Sequence, residues 1–377
     1  MSGRHRTTTD QLRNESDAHD CLASIAAFRA DDSKISSLRF LRETADSSSA
    51  TQLAERFGVT RTTVYNRIDD LRKWGFLWQT DDGFRMTRAG CMAIGAYESV
   101  GSDLTDEAIT HVAESQHRRD ILAALDANAA TKAWLAARER LPGRSTIQRI
   151  VEGCVDRGWV TDTVNGEYTT TPTGSTILES YRKLVTEFEQ LIDKSELLAR
   201  LNYWAAPPVR ALSGTDLVTN TSDDPHAVLN ASVEAANIRS NGLEHLRSVT
   251  PLFDPTLYDI FEQFVDRETT FEVIYDKPTY RKLSQPRWVH YLAGAVAASN
   301  VEVRIHPDPL YTGVGIYNHD TVMLGGSTRF DQQYGIVGEG DELPTWANDT
   351  FDRLWAESKT PSERFGSWLK QTVDPRR

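Results

Sequence analysis

The sequence predicts a multidomain protein, with two tandem winged helix-turn-helix modules, mainly α, followed by an α/β domain. Three observations carry that prediction. The chain has 377 residues, more than one hydrophobic core usually serves, so two or three domains are expected. Its first half repeats itself. Its second half alternates short β-type runs with amphipathic helical stretches.

The repeat emerges when RTTVYNRIDDLRKWGFL (61–77) is laid over RSTIQRIVEGCVDRGWV (144–160) at an offset of 83. Val64, Ile68, Leu71, Gly75 and Leu77 then fall on Ile147, Val151, Cys154, Gly158 and Val160. That is the stripe of an amphipathic helix closed by a glycine cap and followed by a strand. A shorter helix precedes each copy, ATQLAERF (50–57) and KAWLAARERL (132–141). The connection is Gly58-Val59-Thr60 in the first copy and a turn one residue longer, through Pro142-Gly143, in the second. Two helices joined by a short glycine-containing turn are the helix-turn-helix pattern. Hairpins follow, FLWQTDDGFRMT (76–87) and WVTDTVNGEYTT (159–170). Asp82-Gly83 and Asn165-Gly166 are expected at their two-residue turns, because such turns need positive φ. Further helices are expected from Thr87 and from Thr171-Pro172.

The second helix of each copy is the candidate DNA reader. Short hydroxyls at its start leave backbone N–H groups open to a phosphate, and Arg, Asn or Gln one turn on can reach base edges. The candidate residues are Arg61, Thr62, Thr63, Tyr65, Asn66 and Arg67 in the first copy. In the second they are Arg144, Ser145, Thr146, Gln148 and Arg149, with Gly166 in the wing. Five arginines over 137–158 make the second copy the stronger candidate.

Net charge alone argues against a nucleic-acid partner, at −12 from 42 Lys plus Arg and 54 Asp plus Glu. Most of the cations are arginine, and this bias with abundant aspartate resembles proteins of salt-loving archaea, whose cytosol screens charge within about 3 Å at 1 M salt. Residues 1–204 are less acidic than 205–377, so the first half is the better partner for phosphate. Cys21, Cys91 and Cys154 form neither a disulfide framework nor a zinc pattern, and burial in helices is expected for all three. The start lacks a secretory signal and no apolar run spans a bilayer, so a soluble, cytoplasmic protein without a membrane partner is expected.

The segments RSTIQRIVEGCVDRGWV and YTTTPTGSTILESYRKL, with RTTVYNRIDDLRKWGFL and FRMTRAGCMAIGAY, resemble archaeal winged-helix transcription regulators that carry a methanogenesis-regulator-type sensor domain, abundant in haloarchaea. The likeness covers roughly residues 35–200. Pro142 departs from the pattern.

From Gly174 to Trp204 no Pro or Gly interrupts a helical stripe that includes Ile177, Tyr181, Leu184 and Phe188. A helix of about thirty residues, roughly 45 Å long, is expected, ending at Pro207-Pro208 and bridging domains or pairing with its copy in a dimer, unless it packs on its own module. Beyond it, strands are expected near 216–218, 248–253, 271–275, 301–305, 311–317, 321–324 and 333–337, with helices near 226–237, 255–267, 286–298 and 344–357. The domains read as a polar tail and the start of the first helix over 1–30, winged helices over 31–110 and 111–174, a connector over 175–208, the α/β sensor and dimerisation domain over 209–360 and a tail over 361–377.

VEVRIHPDPLYTGVGIYNHDTVMLGGSTRF (301–330) resembles the second half of a phospholipase D motif, a strand bearing HxKxxxxD before a Gly-Ser turn. Tyr311 falls on the His position, Gly313 on the Lys and Asn318 on the Asp, followed by Gly325-Gly326-Ser327. That chemistry needs a nucleophile, a cation and an orienting carboxylate, and these three residues supply none of them. The resemblance implies a phospholipase D-like scaffold used for ligand sensing and dimerisation. Tyr311, Gly313, Asn318 and Ser327 are its candidate ligand residues. His290 and His306 have no second ligand at metal spacing, and no phosphate-binding glycine loop precedes a helix. Asp254, Asp276, Asp308 and Asp320 read as a solvated rim.

The expected function is a sequence-specific, DNA-binding transcription regulator that is not an enzyme, binds double-stranded DNA as a homodimer, needs no cofactor or metal, and answers to an unidentified small-molecule effector. The rivals are a phosphodiesterase-like enzyme targeted by winged helices and an interaction scaffold. In the scaffold, Arg61, Arg67, Arg144 and Arg149 would be paired with carboxylates.

Overall fold

The structure is a computed structural model and describes residues 8–27, 44, 47–100, 104–236, 242–251, 253, 255–262, 269–327 and 333–361. The expected C-terminal tail beyond 361, Asp254 and the ends of the helices expected to reach 237 and 267 lie outside the described residues. The chain forms two compact units, Met1–Ser195 and Glu196–Arg377.

The first unit begins with α1 (Thr8–Ala27), which buries Ala18, Cys21, Leu22 and Ile25. α2 (Ala50–Phe57) opens on a capping box in which Ser49 and Gln52 bond each other's backbone N–H, and it closes on Gly58 at φ 65°. α3 (Arg61–Lys73) follows, then a hairpin of β1 (Leu77–Thr80) and β2 (Gly83–Met86), and α4 (Arg88–Ser99). Next come α5 (Asp106–Ala113) and α6 (Gln116–Ala127), neither expected from the sequence. The second series is α7 (Lys132–Ala136), α8 (Arg144–Asp156), β3 (Val160–Asp162), β4 (Tyr168–Thr170) and α9 (Pro172–Asp193).

The two series share a set of bonds at matching positions. Gly75 and Gly158 take φ 73° and 71°. The N–H groups of Phe76 and Trp159 bond the carbonyls of Leu71 and Cys154, each at 2.9 Å. The hydroxyls of Thr87 and Thr171 donate to the carbonyls of Gly75 and Gly158 at 2.7 Å and accept from the N–H groups of Gly90 and Gly174 at 3.1 Å. The residue before each first-helix cap pairs with the second hairpin strand, Ser48 with Phe84 and Ala130 with Tyr168.

Several expectations are corrected. The first hairpin turns on Asp81-Asp82, and Gly83, at φ 136°, is already paired with Thr80. A Cβ on Gly83 would lie 2.6 Å from the Ser48 carbonyl, so the close approach of Ser48 adds to the positive φ in requiring the glycine. The second hairpin uses a five-residue loop over 163–167, closed by the Thr163 N–H to the Glu167 carbonyl at 2.7 Å, with Gly166 at φ 70° inside it. α7 ends at Ala136 instead of Leu141, because Pro142 disfavours a helical Leu141 and the chain must then turn into α8. The long connector stops at Asp193 and does not reach Trp204. There Lys194 is buried, with its ammonium on Gln190 Oε1 at 2.6 Å and Asp193 Oδ2 at 3.2 Å. Cys91 is exposed, whereas Cys21 and Cys154 are buried.

α9 packs within its own unit against α1, α4 and α6. Its buried stripe includes Ile177, Tyr181, Leu184, Phe188 and Leu191. Phe188 meets Phe76 edge-on at 6.1 Å, and Tyr181 stacks on His19 at 5.7 Å. At roughly 1.5–3 kcal/mol per buried side chain, that stripe outweighs the roughly 0.5–2 kcal/mol of the Thr171 cap. Packing, not capping, therefore holds the helix, and both series share one core.

The second unit is built on a seven-stranded sheet in the order β5-β11-β10-β9-β6-β7-β8. Its elements are β5 (Asp216–Thr219), α10 (Ala227–Ala235), β6 (His245–Thr250), α11 (Pro255–Glu262), β7 (Thr270–Asp276), α12 (Lys277–Leu283), α13 (Val289–Ala297), β8 (Val301–His306), β9 (Thr312–Tyr317), β10 (Thr321–Ser327), β11 (Gln333–Gly338) and α14 (Glu342–Glu357). β6, β7 and β8 run parallel with helical crossovers, and the remaining pairs are antiparallel. α14 buries Leu343, Ala347, Phe351 and Leu354 in packing on β6, β8, β9 and β10. The strand expected at 248–253 lies at 245–250, since Pro251 has no N–H to continue a ladder. The helices expected from Pro286 and Pro344 start at Val289 and Glu342. Asp276 is buried rather than part of a solvated rim, accepting from the N–H groups of Thr279 at 2.9 Å and Leu310 at 3.2 Å.

Candidate nucleic-acid interface

The amphipathic stripe sets which residues of the second helices face out. α3 buries Val64, Ile68 and Leu71, and α8 buries Ile147, Ile150, Val151 and Cys154. Arg61, Thr62, Thr63, Tyr65 and Asn66 are exposed on α3, as are Arg144, Ser145, Gln148 and Arg149 on α8, while Thr146 is half-buried. Gly166 is exposed in its loop.

Arg67 departs from that face. Its Nη1 donates to Ser24 Oγ on α1 and to Asp70 Oδ2, both at 3.4 Å. Burial pulls its guanidinium pKa down, with Asp70 opposing. Gln148 is also engaged, since its Nε2 donates to Glu152 Oε1 at 2.9 Å and Lys132 reaches the same oxygen at 3.3 Å. Hydrogen bonds from Gln148 and Lys132 lower the Glu152 pKa.

The helix starts differ. Thr60 caps α3, accepting from the Thr63 N–H at 3.2 Å. α8 starts at Gly143, which has no side chain to cap it. The N–H groups of Thr146 and Ile147 bond the Gly143 carbonyl, and those of Arg144 and Ser145 make no hydrogen bond among the described residues. Two such donors at the positive end of a helix dipole suit a phosphate oxygen.

Charge pairing separates the two copies. On α3, Arg67 pairs with Asp70, Arg72 with Asp69 at 3.9 Å and Lys73 with Asp17 at 2.9 Å, leaving Arg61 without an ion pair among the described residues. Around the start of α8, Arg138, Arg140, Arg144 and Arg149 are all exposed, and none makes an ion pair with a described residue. Arg138 lies over the exposed Trp134 ring at 4.0 Å, a cation–π contact that leaves its N–H edges free to reach a phosphate. Sequence reasoning counted Arg138 and Arg140 among the five arginines over 137–158 without singling them out as contact residues, and it passed over Trp134. The hairpins carry little positive charge. Asp81 and Asp82 tip the first, and Asp162 and Glu167 flank the loop of the second. The exposed Arg85 on β2, also missed, is a cation of the first hairpin.

In the second unit the candidate ligand residues do not converge. Tyr311 is 67% exposed, at φ 55°. Asn318 pins a turn, its Oδ1 accepting from the N–H groups of Glu244 at 2.8 Å and His245 at 3.1 Å. Gly313 lines a cavity, and the Ser327 side chain lies outside the described ones. His306 is a buried structural histidine between Asp308 and Glu357.

Residues 35–79 match the model of a helix-turn-helix domain, residues 106–191 that of the HVO_A0261 N-terminal domain, and residues 225–357 that of the middle domain of the methanogenesis regulatory protein FilR1. No curated protein matches the chain. Among solved structures, TrmBL2, an archaeal chromatin protein described with a novel mode of DNA binding, is 12% identical over 72% of this chain and 99% of its own, with a TM-score of 0.29. Phosphatidylserine synthase of Haemophilus influenzae is also 12% identical, over 58% of this chain and 55% of its own, again with a TM-score of 0.29. The domain matches support a DNA-binding transcription regulator with a FilR1-like C-terminal region. Among the described residues, no helix is long and apolar enough to cross a membrane.

Proposed function

We propose that the chain is a sequence-specific regulator of transcription, not an enzyme, whose two helix-turn-helix series are tandem winged helices and whose second series makes the principal contact with double-stranded DNA. One observation carries the reading, the group of Arg138, Arg140, Arg144 and Arg149 standing without carboxylate partners among the described residues, beside the uncapped start of α8. Phosphate contacts from these residues fix the register of α8 in the major groove, and Ser145, Thr146 and Arg149 read base edges. Thr62, Thr63, Tyr65 and Asn66 of α3 add a weaker contact through Arg61, while Arg67 serves its own core. The anionic hairpin tips stay off the backbone. Two copies of the chain bind a pseudo-palindrome, and an effector in the second unit shifts operator affinity by its preference for one of two states.

Selection of random duplexes with the whole chain tests this reading. A single enriched motif is expected, lost on Arg149→Ala with the circular dichroism unchanged. Sedimentation at micromolar concentration is expected to give twice the chain mass. Unenriched duplexes whose recovery ignores Arg144→Ala and Arg149→Ala would overturn the reading in favour of a scaffold.

A further inference from the structure

One face of the sheet in the second unit holds a cavity of about 460 Å³, within the roughly 300–1,000 Å³ of small-molecule sites. Its floor is bare backbone. Gly313 of β9 pairs with Gly325 of β10, which pairs with Gly335 of β11, so three neighbouring strands carry glycine in one row. Domain packing does not demand glycine at the first two positions. A Cβ on Gly313 would meet nothing closer than 3.7 Å and one on Gly325 nothing closer than 3.6 Å, so both have room for a side chain that would stand in the cavity. Gly335 is different, because Met323 lies over it at 2.4 Å from such a Cβ.

The walls are aromatic and uncharged. Tyr258, Tyr275, Tyr291, Phe271 and Tyr317 line them, Tyr258 meeting Tyr291 edge-on at 5.3 Å. None of the described lining residues is Asp, Glu, Lys or Arg. The polar handles are neutral side chains, the hydroxyls of Ser248 and Thr250, 2.6 Å apart, with Ser232, Gln333, His290 and the tyrosine hydroxyls. A buried anion without a cation partner is heavily penalised, so phosphate and carboxylate ligands are disfavoured. A flat apolar face gains by covering the glycine backbone and stacking on the tyrosines.

We propose that this cavity binds an uncharged, predominantly apolar small molecule with a flat face, seated on Gly313 and Gly325, and that this molecule is the effector of the regulator. Only the effector role rests on the reading given under Proposed function.

The test uses the whole chain and two fluorescent probes of one skeleton, neutral N-phenyl-1-naphthylamine and its sulfonate, 1-anilinonaphthalene-8-sulfonate. The neutral probe is expected to saturate with blue-shifted emission, and the sulfonate to bind at least about tenfold more weakly. Gly313→Leu, from the floor, and Gly294→Leu, from α13 where nothing lies within 4 Å of an added Cβ, are each expected to weaken the neutral probe by at least about tenfold. Gly294→Leu keeps the test decisive should Gly313→Leu fail to fold. Equal affinity for the sulfonate, or a neutral probe undisturbed by a folded Gly294→Leu protein, overturns the proposal. Duplex binding is measured on the same samples. Probe binding without duplex binding keeps the cavity and rejects the regulator, whereas duplex binding without probe binding rejects the cavity alone.

Discussion

If duplex binding rests on Arg138, Arg140, Arg144 and Arg149, none of which is ion-paired with a described residue, these four arginines set its salt dependence. If Arg138, Arg140, Arg144 and Arg149 each neutralise one phosphate, log K for one chain copy falls with log salt at a slope of about −3.6, from about −0.9 per contact on B-DNA. A fourfold rise in salt then weakens binding by about 150-fold. In the Arg144→Ala, Arg149→Ala double variant two contacts remain, the slope falls to about −1.8, and the same rise costs about 12-fold. Arg67→Ala is the control, because its guanidinium is spent on Ser24 and Asp70, and the slope is expected to stay at the wild-type value. Fluorescence anisotropy of a labelled mixed-sequence duplex over a potassium chloride series reads all three slopes, within the range where circular dichroism is constant. An unchanged slope in the double variant, or a flattened one for Arg67→Ala, refutes the assignment of the interface to α8.

Other consequences follow from the shared core of the first unit. Gly174→Ala places a Cβ 2.0 Å from the Trp159 carbonyl oxygen, and overpacking of that kind costs about 1–3 kcal/mol. Gly153→Ala meets only the tip of Arg157 at 3.8 Å and is expected to stabilise α8 by about 0.5–1 kcal/mol, so thermal melts of the two variants shift in opposite directions. Burial lowers the pKa of His19 and His111 from 6.5 to about 4, with Arg119 adding to the first and Arg118 and Arg157 to the second. The folded state favours neutral imidazole, so this stability is complete above 6.5 and is lost as pH falls toward about 4. His19→Gln and His111→Gln are expected to flatten the fall of melting temperature across that window. In the native chain a thiol reagent is expected to label Cys91 and spare Cys21 and Cys154, as mass spectrometry of peptides would register, since burial pushes the Cys154 thiol up to about 11.

What was legible in the sequence was whatever recurs at short range. The stripe Val64, Ile68, Leu71 and its copy Ile147, Val151, Cys154 specify a buried helix face wherever they occur, and the glycines after them mark the same cap twice. Missed features depended on partners remote in sequence. Arg67 sits at a helix position that reads as exposed until α1 packs over it with Ser24. Gly83 reads as a turn residue until the Ser48 carbonyl approaches it from a third strand. The connector reads as one long helix because local propensity does not register that a buried lysine at 194 ends it.

The same distinction separates residues that the phospholipase D likeness groups together. Alignment makes Gly313 a lost lysine and Asn318 a lost aspartate, so both read as remnants of one reaction centre. Register separates them. Asn318, in the turn between β9 and β10, spends its amide on the backbone of Gly242, Glu244 and His245 at the start of β6, while Gly313 sits in mid-sheet opposite Gly325. Gly313, Gly325 and Gly335 are scattered along the chain and become neighbours only through two antiparallel pairings, which no local pattern encodes. Glycine at 313 leaves the described lining of this sheet face without a charged side chain, and the cost of desolvating an unpaired anion is what the proposed selectivity against phosphate rests on. A lysine restored at Gly313 would have to bury its ammonium among tyrosines without a carboxylate, so Gly313→Lys is expected to lower the melting temperature without restoring any hydrolysis of phosphodiesters.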